Sequence, residues 1–398
     1  MGEWHIDIPL SNCLKIRHGK DQKLIENPDG KYPILGTGGI MGFTNHFLCD
    51  RPSVLIGRKG TIDVPQYMDA PFWTIDTLFY SDVDAKYDVK FLYYIFQTIR
   101  WRKYNEASGV PSLNAGTVEK IRISVPKDTK EQEEIAKILT TVDTVIEKTK
   151  ALIEKYKSIK TGLMQDLLNN GIDEHGNIRS SETHEYKDSP LGIIPTEWDV
   201  LTLGELTEKI ADRDHTTPVY VQHGVFIVSP KDFDEDDNID FSHCVEITYE
   251  AHLVNRKKTD IRPGDLIFTR IGAGLGKICY VTTNMPEFSI LHSAAMVRTN
   301  NKISSKLLMY NMKSFYLQKQ ISYGVQSIGV PDLGMEKIYS LLVKYPHNPN
   351  EQLQIQQALD SVFDKIKKEQ VNLKKLLNIK QGLMQDLLTH TVPVDDLL

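Results

Sequence analysis

Arg58, Lys59 and Thr61 follow the apolar run SVLIGR and surround Gly60, so a strand ending in a glycine turn would carry two cations and a hydroxyl at its tip. Such donors suit phosphate oxygens or the O6 and N7 acceptors of guanine, and equally a solvated hairpin tip. Arg270 and Lys277 flank a second glycine turn, GAGLG, with the same two readings. Arg100, Arg102, Lys103 and Tyr104 end a helical run just before SGVPSL; cations there also complement a helix C-terminus. Tyr323, Gln326 and Ser327 hold the matching place later in the chain and keep hydrogen-bonding capacity. Arg213, His215, Thr216 and Thr217 lie on a polar stretch that reads as a loop, a further candidate for nucleic-acid contact.

Catalytic chemistry is harder to place. Gly272, Gly274 and Gly276 before Lys277 lack the four-residue gap of a phosphate loop, and Ile278 stands where the magnesium-holding Ser or Thr belongs. They read as a turn between DLIFTR and KICYV. Asn27-Pro28-Asp29 is a turn rather than the Asn/Asp-Pro-Pro-aromatic element that holds a base for amino-methylation. Glu185 and Lys187 have the spacing of half a nuclease metal site, without a Pro-Asp upstream. The histidines form no helical ligand pair, and the four cysteines, Cys13, Cys49, Cys244 and Cys279, are far apart and read as reduced and buried. No metal site is expected.

The elements that position the candidate donors come in two copies. EQEEIAKILTTVDTVIEKTKALIEKYKSIKTGLMQDLL (131–168) recurs as EQLQIQQALDSVFDKIKKEQVNLKKLLNIKQGLMQDLL (351–388), and GVPSL (109–113) recurs as GVPDL (329–333) at the same offset. Identity concentrates at the two ends of the helical repeat, Glu-Gln and GLMQDLL. Ile135, Ile138, Val142, Val145, Leu152, Tyr156, Ile159 and Leu163 then form a coiled-coil seam interrupted by Thr149. In the second copy Ile355, Leu359, Val362, Ile366, Leu373, Leu376, Ile379 and Leu383 form a looser apolar face, broken at Lys365 and Glu369. Neither helix is apolar all round, so each needs a partner, the nearest being the other copy. At 1.5 Å per residue each copy makes a rod of roughly 57 Å. Leu163, Met164, Leu167, Leu383, Met384 and Leu387 leave the helix ends too apolar to stand exposed; they dock either a partner protein or the neighbouring globular part.

The expected organisation is therefore a globular domain (1–128), a helix (129–170), a polar linker (171–190), a second globular domain (191–348), a second helix (349–390) and a tail (391–398). Both globular parts mix short strands with one substantial helix. In the first, 53–58 and 121–126 read as strands and 88–104 as the helix. In the second, 224–229, 265–270, 277–281 and 288–298 read as strands and 302–320 as the helix. The fold class is α+β, with an internal repeat.

A formal net charge of −6 argues against a nucleic-acid partner, because phosphates are neutralised by Lys and Arg. The distribution softens this: residues 1–130 carry 17 basic and 15 acidic side chains, whereas 191–350 carry 16 and 19, with much of the acid in the stretch 232–240. No apolar run approaches the roughly 18 residues that span a bilayer. MGEWHIDIPL has neither the basic flank nor the apolar core of a signal peptide, so a cytoplasmic protein without membrane contact is expected.

The order of these parts resembles the specificity subunits of type I restriction-modification systems. The resemblance rests on Pro-x-x-x-x-Glu-Gln-x-x-Ile opening each helix, GLMQDLL closing it, and the Trp198-centred restart IPTEWDVLTLGEL. DHTTPVY (214–220), VSPKDF (228–233) and PGDLIFTRIGAGLGK (263–277) extend it, while the first domain departs from the family pattern at its short opening. The resemblance implies two target-recognition domains held by two antiparallel helices, spaced to read two halves of a duplex DNA target about one helical turn, roughly 34 Å, apart. It implies a non-catalytic chain without a cofactor of its own. Catalysis would come from two modification subunits that carry S-adenosylmethionine and from restriction subunits that use ATP and magnesium. A protein-binding coiled-coil scaffold, and a recognition subunit serving a fused nuclease-methyltransferase, are the alternatives.

Overall fold

The computed structural model describes residues 3–69, 71–213, 218–325 and 329–392, and divides into two α+β units: Met1–Leu152 with Glu369–Leu398, and Ile153–Lys368. In the first, an antiparallel pair, Trp4–Pro9 with Arg122–Pro126, joins the two ends of the globular part. Between them lie an antiparallel four-stranded sheet, ordered Leu14–His18, Leu78–Val83, Ser53–Gly57 and Gln66–Met68, and a three-stranded sheet, ordered Gly39–Thr44, Tyr32–Gly36 and Trp73–Thr74. Helix α1 (Val89–Thr98) starts where Asp88 accepts a hydrogen bond from the Phe91 N–H at 2.7 Å, and its apolar face, Phe91, Leu92, Tyr94, Ile95 and Phe96, is buried. It stops short of the expected Tyr104. Trp101 is buried with its indole donating to the Phe96 carbonyl at 2.9 Å, which turns Trp101–Tyr104 into a separate 3-10 turn. Helices α2 (Ala115–Glu119) and α3 (Thr129–Leu167) follow.

The second unit repeats this scheme. Trp198–Thr202 pairs antiparallel with Leu342–Pro346. One four-stranded sheet is ordered Thr207–Asp212, Ala294–Thr299, Leu266–Thr269 and Ile278–Tyr280; the other is ordered Tyr220–Val221, Val245–Ile247, Val225–Val228 and Phe288–Ile290. The expected single strand over 288–298 thus serves two sheets. Helix α4 (Tyr249–Arg256) is peripheral, and the expected helix over 302–320 is two helices, α5 (Ser305–Lys313) and α6 (Phe315–Gly324). They break at Ser314, which is extended and bonds its hydroxyl to the Asn311 carbonyl. Helices α7 (Met335–Tyr339) and α8 (Pro349–Leu388) complete the unit.

The long helices, of 39 and 40 residues, start at 129 and 349 as expected, and each contributes one end to each unit. Their seam keeps the expected Ile135, Val142, Tyr156 and Leu163 in α3 and every expected position but Ile379 in α8, and moves the others by one residue. It follows Ile135, Leu139, Val142, Ile146, Thr149, Ile153, Tyr156, Lys160, Leu163 and Leu167 in α3, a strict alternation of four and three, and the equivalent positions from Ile355 to Leu387 in α8. Val145, Ile159 and Ile379 are instead exposed at 41%, 38% and 52%. Polar residues keep the seam in register: Thr149 is buried with its hydroxyl bonded to the Val145 carbonyl, and Glu369, Lys160 and Lys380 are half-buried. Lys160 lies over the Phe363 ring, and burial lowers the pKa of its ammonium. Lys380 pairs with Asp143 at 2.8 Å and lies over Tyr94.

The stretch 171–190, expected as a linker, is mostly exposed but anchored at buried points. Ile172 and Arg179 are buried, and Arg179 forms a two-pronged ion pair with Glu351, which also accepts the Trp198 indole N–H at 3.0 Å. Gly171 adopts φ +70°, and a Cβ there would strike the Glu351 carboxylate and the Trp198 ring. In the first unit Glu131 accepts, among the described residues, only the Trp4 indole, at 3.2 Å. All four cysteines are free; Cys13, Cys49 and Cys279 are buried, whereas Cys244 is only half-buried. Burial pushes the Cys13 and Cys279 thiols up to about 11. No helix among the described residues is long and apolar enough to cross a membrane.

These contacts set two expectations. Glu351→Ala strands a buried guanidinium and costs about 3–5 kcal/mol, whereas Glu131→Ala removes one indole bond at about 1 kcal/mol; thermal unfolding by circular dichroism separates them. Ile153→Asp places a charge in the seam and lowers the midpoint sharply, while Ile159→Asp, one face away, stays within about 0.5 kcal/mol of wild type.

Candidate nucleic-acid interface

Each unit ends a central strand in the same backbone frame. In the first, Ser53–Gly57 runs into Arg58, and the Thr77 carbonyl accepts the N–H groups of Arg58 (2.8 Å) and Lys59 (3.2 Å). Leu113 N–H donates to the Arg58 carbonyl and Gly60 N–H to the Pro111 carbonyl, both at 2.8 Å, and Lys59 bridges Ser112. In the second, Leu266–Thr269 runs into Arg270, and the Ser293 carbonyl accepts from Arg270 (2.9 Å) and Ile271 (3.2 Å). Leu333 N–H donates to the Arg270 carbonyl at 2.9 Å, Gly272 N–H donates to the Pro331 carbonyl at 2.8 Å, and Ile271 bridges Asp332. Gly60 and Gly272 both take left-handed backbone, φ +98° and +96°, which only glycine enters without strain. The duplicated GVPSL and GVPDL are thus the segments on which the two turns rest.

The frames present different side chains. In the first unit Arg58 is half-exposed, donating to the Asp76 carbonyl at 3.1 Å, and Lys59 and Thr61 are exposed. The tip of the hairpin formed by Tyr32–Gly36 and Gly39–Thr44 stands beside this turn, held by Gln66, whose amide donates to the Gly36 and Thr37 carbonyls. Sequence reading missed Gln66 and the exposed Ile40 and Met41 of that hairpin, because their packing partners are distant in the chain. Arg100, Lys103 and Tyr104 line a cleft of about 650 Å³ together with Arg122, Ser124 and His390. Arg102 points elsewhere and pairs with Asp63 at 2.6 Å.

In the second unit the cations are committed. Arg270 is 5% exposed, its guanidinium held between Asp332 (2.9 Å) and Asp212 (3.3 Å). It stabilises the turn and is withdrawn from the surface, which corrects its expected role as a donor to DNA. Lys277 spends its ammonium on the Phe233 (3.0 Å) and Asp234 (2.8 Å) carbonyls, pinning the acidic stretch. Arg213 is also buried, donating to Asn255 at 2.7 Å. Tyr323 stays on the surface, 78% exposed on α6, with Lys319 over its ring. His215, Thr216, Thr217, Gln326 and Ser327 lie outside the described residues.

The apolar helix ends pack within their own units. Leu167 joins the core of the second unit, with Leu163 and Met164 against it, and Leu387 joins that of the first, with Leu383 and Met384 against it. Leu167 and Leu387 are closed off at 2% and 1% exposure, so a partner would meet instead the outward Gly162, Gln165 and Asp166, or Gly382 and Gln385.

Residues 8–157 match the family model described as the type I restriction modification DNA specificity domain. Among curated proteins, the chain is 24% identical to the type I restriction enzyme MjaVIII specificity subunit of Methanocaldococcus jannaschii, over 76% of this chain and 71% of the relative. It is 23% identical to the MjaIX specificity subunit of the same organism, over 77% and 70%. A solved type I restriction-modification S subunit from M. genitalium shares the fold, with a TM-score of 0.69 at 16% identity and coverage of 97% and 96%. With a twice-built frame and a repeated helix opened by Glu-Gln, the chain carries a type I restriction modification DNA specificity domain over residues 8–157 and is similar across most of its length to type I specificity subunits.

Proposed function

We propose that this chain supplies the DNA address of a type I restriction-modification complex and carries no catalytic step itself. Each unit reads one short half of a bipartite duplex target. Two modification subunits with S-adenosylmethionine methylate adenine there, and restriction subunits using ATP and magnesium cleave unmodified DNA, all in the cytoplasm. The observation that carries this reading is the duplicated frame bearing different side chains: one backbone support, two surfaces. Modules that read unlike sequences need that combination, whereas a protein-only scaffold needs only the helices. Arg100 and Lys103 in the cleft of the first unit suit phosphate contact, which fixes position without reading sequence.

The direct experiment is genome-wide mapping of adenine methylation in cells expressing the chain with its cognate modification subunits. A bipartite motif with a fixed unread gap is expected; an assembled complex that adds no methylation overturns the reading. Arg100→Ala with Lys103→Ala should weaken binding about equally at all sites. It should also make the slope of log affinity against log salt shallower by about one for each phosphate that is no longer neutralised, as titrations at several salt concentrations would read out.

A further inference from the structure

The two turn frames match bond for bond, and this lets positions be equated across the units where the sequence alone does not align them. Arg58 corresponds to Arg270, Gly60 to Gly272, Thr77 to Ser293, Pro111 to Pro331 and Leu113 to Leu333. The residue between arginine and glycine is then Lys59 in one unit and Ile271 in the other, with backbone N–H groups bonded alike, to Thr77 and Ser293. Packing fixes neither side chain. Lys59 is exposed and makes no side-chain hydrogen bond or ion pair among the described residues. Ile271 is half-exposed and outside the apolar clusters of its unit. Beside each stands a valine, Val110 at 57% exposure and Val330 at 60%, identical in the two units and so unable to distinguish one half-target from the other.

The geometry points to Lys59 and Ile271 as the discriminating position of each recognition unit, Lys59 selecting a guanine and Ile271 a thymine. This rests on the DNA-reading function proposed above. An ammonium on a rigid turn donates to guanine O6 and N7 in the major groove, and a branched apolar side chain there contacts the thymine C5-methyl, the one apolar feature among the base edges. The frame makes the choice sharp, because the backbone on both sides is bonded and the side chain alone changes between units.

The test uses the full chain assembled with its modification subunits, reading methylation motifs for wild type, Lys59→Ala, Lys59→Arg, Lys59→Ile and Ile271→Ser. Lys59→Ala should relax a guanine position in one half-site, with roughly a ten- to hundred-fold loss of discrimination, and leave the other half-site unchanged. Lys59→Arg should keep the guanine, and Lys59→Ile should exchange it for thymine. Ile271→Ser should relax a thymine in the opposite half-site several-fold. Sedimentation of each complex verifies assembly, and if one isoleucine or lysine variant fails to assemble, the variant at the other position decides. An unchanged motif in Lys59→Ala and Ile271→Ser overturns this inference alone; absence of any bipartite motif with wild type overturns the functional reading and this inference with it.

Discussion

The way each long helix begins governs the rest of each unit. At the first turn of α3, Glu131 takes the indole N–H of Trp4 on the first strand, and Gln132 donates to the Pro126 carbonyl at the end of the last strand, at 2.8 Å. Glu351 and Gln352 do the same for Trp198 and Pro346. The strand pair that closes each globular part is thereby fastened to a helix start. Gln132 also accepts the N–H of Asp88, the residue capping α1, and Tyr94 of α1 returns to α3 through Thr140 and Asp143. In the second unit Gln352 reaches the Lys302 carbonyl ahead of α5, and Tyr310 of α5 bonds Asp360 of α8. Buried amide and phenol groups tolerate few alternative arrangements, since each broken bond leaves a desolvated polar atom. Strand, short helix and long helix therefore hold one geometry within each unit.

This explains why the repeat is legible where it is. Glu-Gln persists because both side chains have buried partners, and GLMQDLL persists because its leucines fill a core. The middle of the helix needs only a stripe, and there spacing alone is ambiguous: Val145 and Ile146 are both apolar, and Ile159 is more apolar than the seam residue Lys160 beside it, so the reading moves by one residue at these positions. A polar seam residue is identifiable only once its partner is seen, such as Asp143 beside Lys380. The anchor within the expected linker is hidden for a related reason. Arg179 in a polar stretch looks solvated, and what buries it, Glu351, lies far along the chain.

The same blindness applies to the candidate site, with more consequence. A cation beside a glycine turn reads alike at Arg58 and Arg270, yet only the second has Asp212 and Asp332 to receive it. Arg298 of the second unit is turned inward too: it pairs with Asp260 and Asp265, and Lys209 together with Arg298 holds the Asp260 carboxyl well below the usual carboxylate range. Buried pairs of this kind define geometry more than they add stability. They also withdraw Arg213, Arg270 and Arg298 from the surface. At the turn itself the second unit therefore presents the uncharged Ile271, while the first unit retains exposed Lys59.

The frame itself asks little of the sequence. Its bonds run between backbone atoms, so they require a left-handed glycine and the GVP-x-L support, but place no demand on the side chain that projects between them. A change at that position leaves the strand, the turn and the core bonded as before, because no buried atom is deprived of a partner. A recognition unit built this way can accept unlike side chains at near-constant stability. That is the physical condition under which one duplicated fold can come to read two different half-targets.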